Sequence, residues 1–94
     1  MKIKTLIVDD EPLARDRVRR FLRDETEIEI VGECGNGAEA IKSIKEKKPE
    51  LVFLDIQMPE KNGFDVIKSL DAKTIPTIIF VTAYDQYALQ AFDA

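Results

Sequence analysis

The sequence predicts an α/β protein in which a parallel sheet lies between two layers of helices. Short apolar strands and amphipathic helical segments alternate four times along the 94 residues, a pattern typical of right-handed βαβ units. Three of the four strands are almost continuously apolar, as strands are when helices cover both faces of a sheet. We expect the strand order 2-1-3-4, with all strands parallel.

Strands are expected at 5–10, 28–34, 51–55 and 76–83, and helices at 11–25, 36–48, 62–70 and 84–94.

The first half of the chain carries clear helix signals. Pro12 suits a first helical turn, and apolar residues recur behind it at helical spacing; these are Leu13, Ala14, Val18, Phe21 and Leu22. Asn36 followed by Glu39 is typical of a capping box, and Pro49 marks the end of that helix. The second strand is less uniformly apolar and is expected near an edge of the sheet.

The second half repeats the alternation. The run LVFLD has the length and composition of a short buried strand, and Asn62 suits the N-cap of a short helix after it. Pro76 stands at the entry of the fourth strand, where a missing N–H does little harm. The last segment carries apolar residues at helical spacing, at positions 84, 87, 88, 91 and 92.

Composition limits the class of protein. The chain has 18 acidic and 14 basic residues, a net charge of −4, no histidine and one cysteine. This balance gives no indication that the segment binds nucleic acid, and the lack of histidine excludes Cys/His zinc sites. Because a lone thiol makes no internal disulfide, we expect Cys34 to be a small buried side chain in a cytoplasmic protein. No apolar run reaches the roughly 18 residues that a membrane span needs.

Acidic residues follow two strands that are predicted to be neighbours. Asp9 and Asp10 end the first strand, and Asp55 ends the third. The carboxyl ends of parallel strands meet at one edge of the sheet, and ligands bind there where the strand order reverses. Three carboxylates this close raise one another's pKa values unless a cation joins them. Oxygen ligands with open positions for water suit Mg²⁺, so we expect a magnesium site at this edge.

Such a site would suit phosphoryl chemistry. A carboxylate beside Mg²⁺ is a nucleophile toward phosphorus, and Thr82, at the end of the fourth strand, could donate a hydrogen bond to a phosphoryl oxygen. Each residue alone has a simpler explanation. Acidic pairs often start polar loops, aspartates form turns, and threonine is common in strands. Their joint placement at the strand ends favours the site.

Three segments resemble the receiver domain of two-component response regulators. They are LIVDDEP, LVFLDIQMPEKNGFD and IIFVTAY, in the family's order and spacing, and the match spans nearly the whole chain. The resemblance implies a flavodoxin-like (CheY-like) fold. It also implies that the receiver, at 1–94, is incomplete, because the family's fifth strand, the lysine after it and the fifth helix are missing. The segment TAYDQYALQAFDA further resembles receivers that precede LytTR-type DNA-binding domains (the LytR/AlgR group).

The resemblance implies roles by position. Asp55 matches the phosphoacceptor, which takes a phosphoryl group from a phosphohistidine on a sensor histidine kinase. Asp10, Asp55 and the backbone carbonyl of Gln57 match ligands of Mg²⁺, and Asp9 matches the acid that holds the ion, usually through water. Thr82 matches the switch hydroxyl. The output domain, expected to bind DNA, would lie beyond residue 94.

Two features bear on association with other proteins. Without a fifth strand, the fourth would have an open apolar edge, which favours a homodimer, formed by strand exchange or by contacts of the fourth helix. The first helix carries five arginines, at positions 15, 17, 19, 20 and 23. They are most simply a solvated face; the alternative is a docking surface, since the family's kinases contact this helix.

Two other classes of protein are alternatives. A Mg²⁺-dependent phosphatase with an aspartate nucleophile, of the haloacid-dehalogenase type, places Asp-x-Asp after the first strand, whereas here the acids are adjacent in VDDEP. A flavodoxin-like electron carrier needs a phosphate-binding loop at this place, and DDEPLAR would repel a phosphate. A signalling module that accepts a phosphoryl group, and is not an ordinary enzyme, fits the sequence best.

Overall fold

The computed structural model of the protein describes residues 2–81. The strands are β1 (Ile3–Val8), β2 (Ile28–Cys34), β3 (Leu51–Asp55) and β4 (Thr77–Val81), and the helices are α1 (Pro12–Phe21), α2 (Gly37–Lys47) and α3 (Gly63–Lys68), with a 3₁₀ turn at Ala72–Thr74. The predicted helix at 84–94 and the last two residues of the predicted fourth strand lie outside the described residues.

The four strands form one parallel sheet in the order β2-β1-β3-β4, so the predicted order is confirmed. The less apolar strand β2 lies at an edge, as expected. β1 begins two residues earlier than predicted because Ile3 and Lys4 extend the ladder to β2. It ends at Val8, so Asp9 and Asp10 belong to the loop that follows and not to the strand.

The main core lies between the sheet and the helices α2 and α3. Alternate side chains of β1 and β3 point to this face and are fully buried; they are Leu6, Val8, Val52 and Leu54. Ala40 and Ile44 of α2 and Val66 of α3 pack against them. Ile7 points to the opposite face and is buried where α1 contacts β1. The described residues thus form three layers, as the sequence predicts.

Helix α1 is shorter and less buried than the sequence predicts. It ends at Phe21, before the expected residue 25, because the chain turns at Leu22, which is buried. Ala14 and Val18 lie at intervals of four residues before Leu22, and this stripe faces the sheet. Leu13 and Phe21 belong to a neighbouring stripe, and they are 75% and 82% exposed. The expected apolar face is therefore divided, and the second stripe is not covered by any element of residues 2–81.

The predicted helix caps are present, with one difference. Asn36 Oδ1 accepts a hydrogen bond from the Glu39 N–H at 2.8 Å, but the Glu39 carboxylate accepts from the Gly35 N–H, one residue before the N-cap. In α3 the capping box is complete, because Asn62 and Asp65 each accept from the other's N–H at 2.9 Å. These bonds satisfy backbone donors that have no partner within the helix.

The ladder between β1 and β2 contains one irregularity. Thr5 pairs with Ile30 and Leu6 pairs with Gly32, so Val31 has no partner residue in β1. The Val31 carbonyl instead accepts a hydrogen bond from Lys47 Nζ at 3.1 Å. An extra residue reverses the face that later side chains of the strand occupy. As a result Glu33, which pairs with Ile7, points to the same face as α1.

Expectations from composition can be checked within residues 2–81. Cys34 is 3% exposed, and its thiol donates a hydrogen bond to Ser43 Oγ at 3.4 Å. Burial raises the pKa of this thiol. The prediction of a small buried side chain is confirmed. Among the helices of this range, none combines the length and the apolar character that crossing a membrane requires.

The start of α3 packs closely against the end of β3. A Cβ atom at Gly63 would lie 2.7 Å from the Asp55 carbonyl oxygen and 3.1 Å from Ile56 Cα. Because both are backbone atoms, Gly63→Ala should force the loop apart and lower the free energy of unfolding in urea by about 1–3 kcal/mol.

Gly32→Ala is the matched control. Its Cβ would lie 2.6 Å from Lys47 Nζ, at the end of a flexible side chain, and 3.3 Å from Leu6 Cδ1. We expect Gly32→Ala to lower the free energy of unfolding less than Gly63→Ala does. Equal losses would contradict the close backbone approach at Gly63.

Candidate metal centre at the carboxyl edge of the sheet

Two adjacent strands bring three aspartates together. Val8 pairs with Leu54, so the residues that follow them, Asp9 and Asp55, lie side by side at the carboxyl edge. One carboxylate oxygen from each of Asp9, Asp10 and Asp55 lies within 4.8 Å of the other two. The convergence that the sequence predicts is present in the structure.

Backbone groups orient two of these carboxylates. Asp9 Oδ1 accepts a hydrogen bond from the Glu11 N–H at 2.9 Å, and Asp55 Oδ1 accepts from the Gln57 N–H at 3.1 Å. In each case the donor lies two residues further on, which is the geometry of an Asx turn. The turn-forming explanation is therefore correct for both residues, while their role in a metal site stays a prediction. Each bond uses one acceptor position of Oδ1, so Oδ2 and the second position of Oδ1 remain for ligands.

Burial and mutual repulsion raise the pKa values of the two buried acids. Asp55 is 8% exposed. Burial, and after it the charge of Asp9, raises the pKa of Asp55 to about 6. The hydrogen bond from the Gln57 N–H acts in the opposite direction and lowers this pKa. Burial is also the main cause that raises the pKa of Asp9, which is 7% exposed. Asp10 is half-buried and adds its charge to both. Holding all three ionised therefore costs free energy in the metal-free protein.

The donor set fits a hard divalent cation. The ion pairs among residues 2–81 do not include the three aspartates, so a bound cation would relieve their repulsion. An open pocket of about 160 Å³ is lined by Asp9 and Asp55, and also by Gln57, Arg17 and Val81. Carboxylate oxygens together with space for water are what Mg²⁺ prefers.

The loop after Asp55 is fixed at several points. Met58 is 7% exposed and belongs to the core between the sheet and α2 and α3. The Gly63 N–H donates to the Ile56 carbonyl at 3.0 Å. Glu60 takes a positive φ of 67° in the turn between them. These contacts hold the loop directly after Asp55 in one conformation.

The roles of two predicted site residues, Gln57 and Thr82, stay predictions. Gln57 is exposed and lines the pocket, while the role of its carbonyl as a ligand stays a prediction. Thr82 lies outside the described residues. Val81, directly before it, pairs with Asp55 and lines the same pocket.

Arg15 contacts the acidic loop, a contact that the sequence did not predict. Arg15 was counted among the arginines of a solvated face, yet its Nη1 donates to the Asp9 carbonyl at 2.6 Å and its Nε lies 3.4 Å from Glu33 Oε1. Arg19 binds the same Glu33 carboxylate. A single sequence gave no signal for this contact, because the direction of Glu33 depends on the irregularity at Val31.

Comparison with known proteins identifies the family. Residues 5–94 match the family model of the response regulator receiver domain. The chain belongs to this family of receiver domains. It is 50% identical over 91 residues to the transcriptional regulatory protein BtsR of Escherichia coli K12, covering 97% of this chain and 38% of BtsR.

Solved structures agree with this assignment. The receiver domain of the putative response regulator NarL from Mycobacterium tuberculosis matches with a TM-score of 0.79 and 33% identity, over 95% of this chain and 77% of that one. A LuxR-family two-component response regulator from Aurantimonas matches with a TM-score of 0.80 and 26% identity, over 99% and 69%. These neighbours confirm the receiver fold, while the names of these relatives lend the LytTR type no support.

The raised pKa of Asp55 makes stability depend on pH. Its pKa is about 6 in the folded receiver against an ordinary value of 3.8, so the folded state binds more protons between these values. The free energy of unfolding of the metal-free protein should therefore fall as the pH rises from about 4 to about 6, by on the order of 2 kcal/mol from this group. Urea unfolding with a chelator at pH 4.5 and pH 7 measures the change.

Asp55→Asn should remove this contribution and raise stability at pH 7, whereas Asp24→Asn, at an exposed turn, should keep the wild-type slope. Mg²⁺ should stabilise the wild type at pH 7 more than Asp55→Asn. If the wild type and Asp55→Asn had the same pH dependence, the repulsion described here would not exist.

Proposed function

We propose that this receiver domain is a phospho-accepting switch of a two-component phosphorelay, and that Asp55 accepts the phosphoryl group from a sensor histidine kinase. The observation that supports this most is the state of the Asp55 carboxylate. One oxygen is held by the Gln57 N–H, and the carboxylate lies beside two other acids at the wall of an open pocket. A buried but reachable carboxylate of this kind is suited to attack phosphorus.

The proposed step is a simple displacement. The free oxygen of Asp55 attacks the phosphorus of a phosphohistidine, the P–N bond breaks, and the imidazole nitrogen keeps the electron pair and takes a proton. The product is an acyl phosphate on Asp55. With a pKa of about 6, Asp55 is mostly ionised at pH 7 and can act as the nucleophile. The bond from Gln57 orients the carboxylate for the attack.

Mg²⁺ is the proposed cofactor. Asp10, Asp55 and the carbonyl of Gln57 would hold it, with Asp9 acting through water. When bound, the ion neutralises charge on the carboxylates and on the phosphoryl oxygens. Thr82 would donate its hydroxyl hydrogen to a phosphoryl oxygen; this role rests on its place in the sequence after Val81.

The partners of the whole protein are also proposals. The chain spans 38% of the length of BtsR, which is described as a transcriptional regulatory protein. We therefore place a DNA-binding output outside this segment, with no direct contact between the receiver and nucleic acid. A LytTR-type output rests only on the segment TAYDQYALQAFDA. The lone, buried Cys34 suits a cytoplasmic setting.

Incubation with acetyl phosphate and Mg²⁺, followed by intact mass measurement, tests the acceptor. The wild type and the control Asp24→Asn should each gain one phosphoryl group, and Asp55→Asn should gain none. Chelation of Mg²⁺ should abolish the gain, because the acidic cluster then repels the phosphoryl donor. Equal labelling of Asp55→Asn and wild type would refute Asp55 as the acceptor.

The same reaction separates the switch from the alternative, a Mg²⁺-dependent phosphatase with an aspartate nucleophile. A switch keeps about one phosphoryl group per chain and releases phosphate slowly. A phosphatase would release many equivalents of phosphate from small phosphate esters. Rapid turnover of such esters that depends on Asp55 would favour the phosphatase.

We further propose that the 94-residue chain associates through β4. Within residues 2–81 this strand pairs only with β3, and its apolar residues from Ile78 to Val81 are only partly buried. Unpaired strand edges of this kind promote pairing with another chain. Sedimentation should show a dimer that dissociates on dilution. Thr77→Lys, which adds a charge at the exposed start of the strand, should weaken it. A folded monomer at high concentration would contradict this proposal.

A further inference from the structure

The side chain of Arg15 joins three separate parts of the structure. It starts on α1, its Nη1 donates to the backbone carbonyl of Asp9 at 2.6 Å, and its Nε lies 3.4 Å from Oε1 of Glu33 on β2. The side chains of Arg15 and Glu33 are only 20% and 29% exposed. Partial burial shields this pair from solvent, so its attraction is screened less than that of a fully exposed ion pair.

The bond from Arg15 completes the fixation of Asp9. The Asp9 N–H donates to the Cys34 carbonyl at 3.0 Å, and Asp9 Oδ1 accepts from the Glu11 N–H. Arg15 holds the remaining backbone group, the carbonyl. That carbonyl belongs to the planar peptide unit that joins Asp9 to Asp10. The hydrogen bond from Arg15 therefore sets the orientation of this plane, and with it the direction in which the Asp10 side chain leaves the backbone.

Glu33 in turn orients the guanidinium of Arg15. Its place on the α1 face depends on the irregularity at Val31, and its carboxylate also accepts a hydrogen bond from Arg19 Nε at 2.8 Å. Arg19 reaches Glu33 but makes no contact with the acidic loop among the hydrogen bonds of residues 2–81. The two arginines thus share one anchor, and only Arg15 connects it to the aspartates.

We propose that Arg15 is a positioning residue, which, anchored by Glu33, holds the Asp9–Asp10 peptide in the orientation that lets both acids bind one divalent cation together with Asp55. This inference rests on the proposed Mg²⁺ site. It assigns Arg15 a role within the domain that differs from both a solvated face and a kinase-docking surface.

The positive charge of Arg15 and its hydrogen bond predict opposite effects of removing the side chain on cation affinity. If its positive charge were what mattered, removing it would strengthen the binding of a cation. If its hydrogen bond matters, removing it frees the peptide plane and weakens binding. Residues that orient metal ligands typically contribute about 10-fold to 100-fold in affinity. We expect Arg15→Ala to weaken Mg²⁺ binding by about 10-fold. Arg15→Lys keeps the positive charge but lacks the planar guanidinium with its several N–H donors, and we expect it to weaken binding less.

Amide NMR titration with Mg²⁺ tests the proposal on the full 94-residue chain. The proteins compared are the wild type, Arg15→Ala, Arg15→Lys and the matched control Arg19→Ala, each checked for folding by urea unfolding without metal. Arg19→Ala should bind Mg²⁺ as tightly as the wild type, even if it loses as much stability as Arg15→Ala. In the metal-free state, amide exchange at Glu11, whose N–H donates to Asp9 Oδ1, should be faster in Arg15→Ala alone.

Each outcome decides the proposal. Unchanged or tighter Mg²⁺ binding by Arg15→Ala would overturn the proposal. An equal loss of Mg²⁺ affinity in Arg19→Ala would also overturn it, because it would indicate that both arginines act only by attaching α1 to β2. If Arg15→Ala fails to fold, Arg15→Lys and Arg19→Lys take its place, and equal affinities of these two would overturn the proposal. If the wild type binds no Mg²⁺, the metal site of the proposed function fails, and the positioning role fails with it. If the wild type and all variants bind equally well, only the positioning role fails.

Discussion

Repulsion among three carboxylates at one edge of the sheet is the constraint on which the rest of the site depends. Parallel pairing of β1 with β3 places Asp9 and Asp55 side by side, and the chain continues directly into Asp10. Burial makes the repulsion costly and raises the pKa of Asp55 to about 6. Binding of a cation or a proton to the cluster relieves this repulsion, so the repulsion makes such binding more favourable. The site is therefore built to change state on binding.

The scaffold prevents the acids from moving apart. The Asp9 backbone is held by Cys34 and Arg15, and its carboxylate by Glu11. Asp55 directly follows the fully buried Leu54, and Gly63 packs so closely against the Asp55 carbonyl that a Cβ atom there would lie 2.7 Å from its oxygen. A flexible loop would relax to relieve the charge and bind metal weakly. Here packing in the core holds the three carboxylates in place, so the stability of the core offsets the cost of their repulsion.

Features that depend on local pattern could be predicted from the sequence. Alternating apolar segments gave the layers, and Asp9, Asp10 and Asp55 were expected to meet because parallel strands share a carboxyl edge. Features that depend on exact register could not be predicted. The unpaired Val31 turns Glu33 toward α1 and so creates the anchor of Arg15. Helical spacing likewise could not show that Leu13 and Phe21 lie on a stripe that residues 2–81 leave exposed, because spacing carries no information on what covers each stripe. The role of Thr82 stays a prediction from the sequence.

Locating a bound divalent ion directly is the sharpest test of the central claim, which is that Asp9, Asp10 and Asp55 form one cation site. Mn²⁺ prefers the same oxygen ligands as Mg²⁺, and its anomalous X-ray scattering marks its position in a crystal of the protein. The account predicts one strong peak at this edge of the sheet, within coordination distance of Asp10 and Asp55. A peak elsewhere, or a bound ion that contacts none of the three carboxylates, would contradict it.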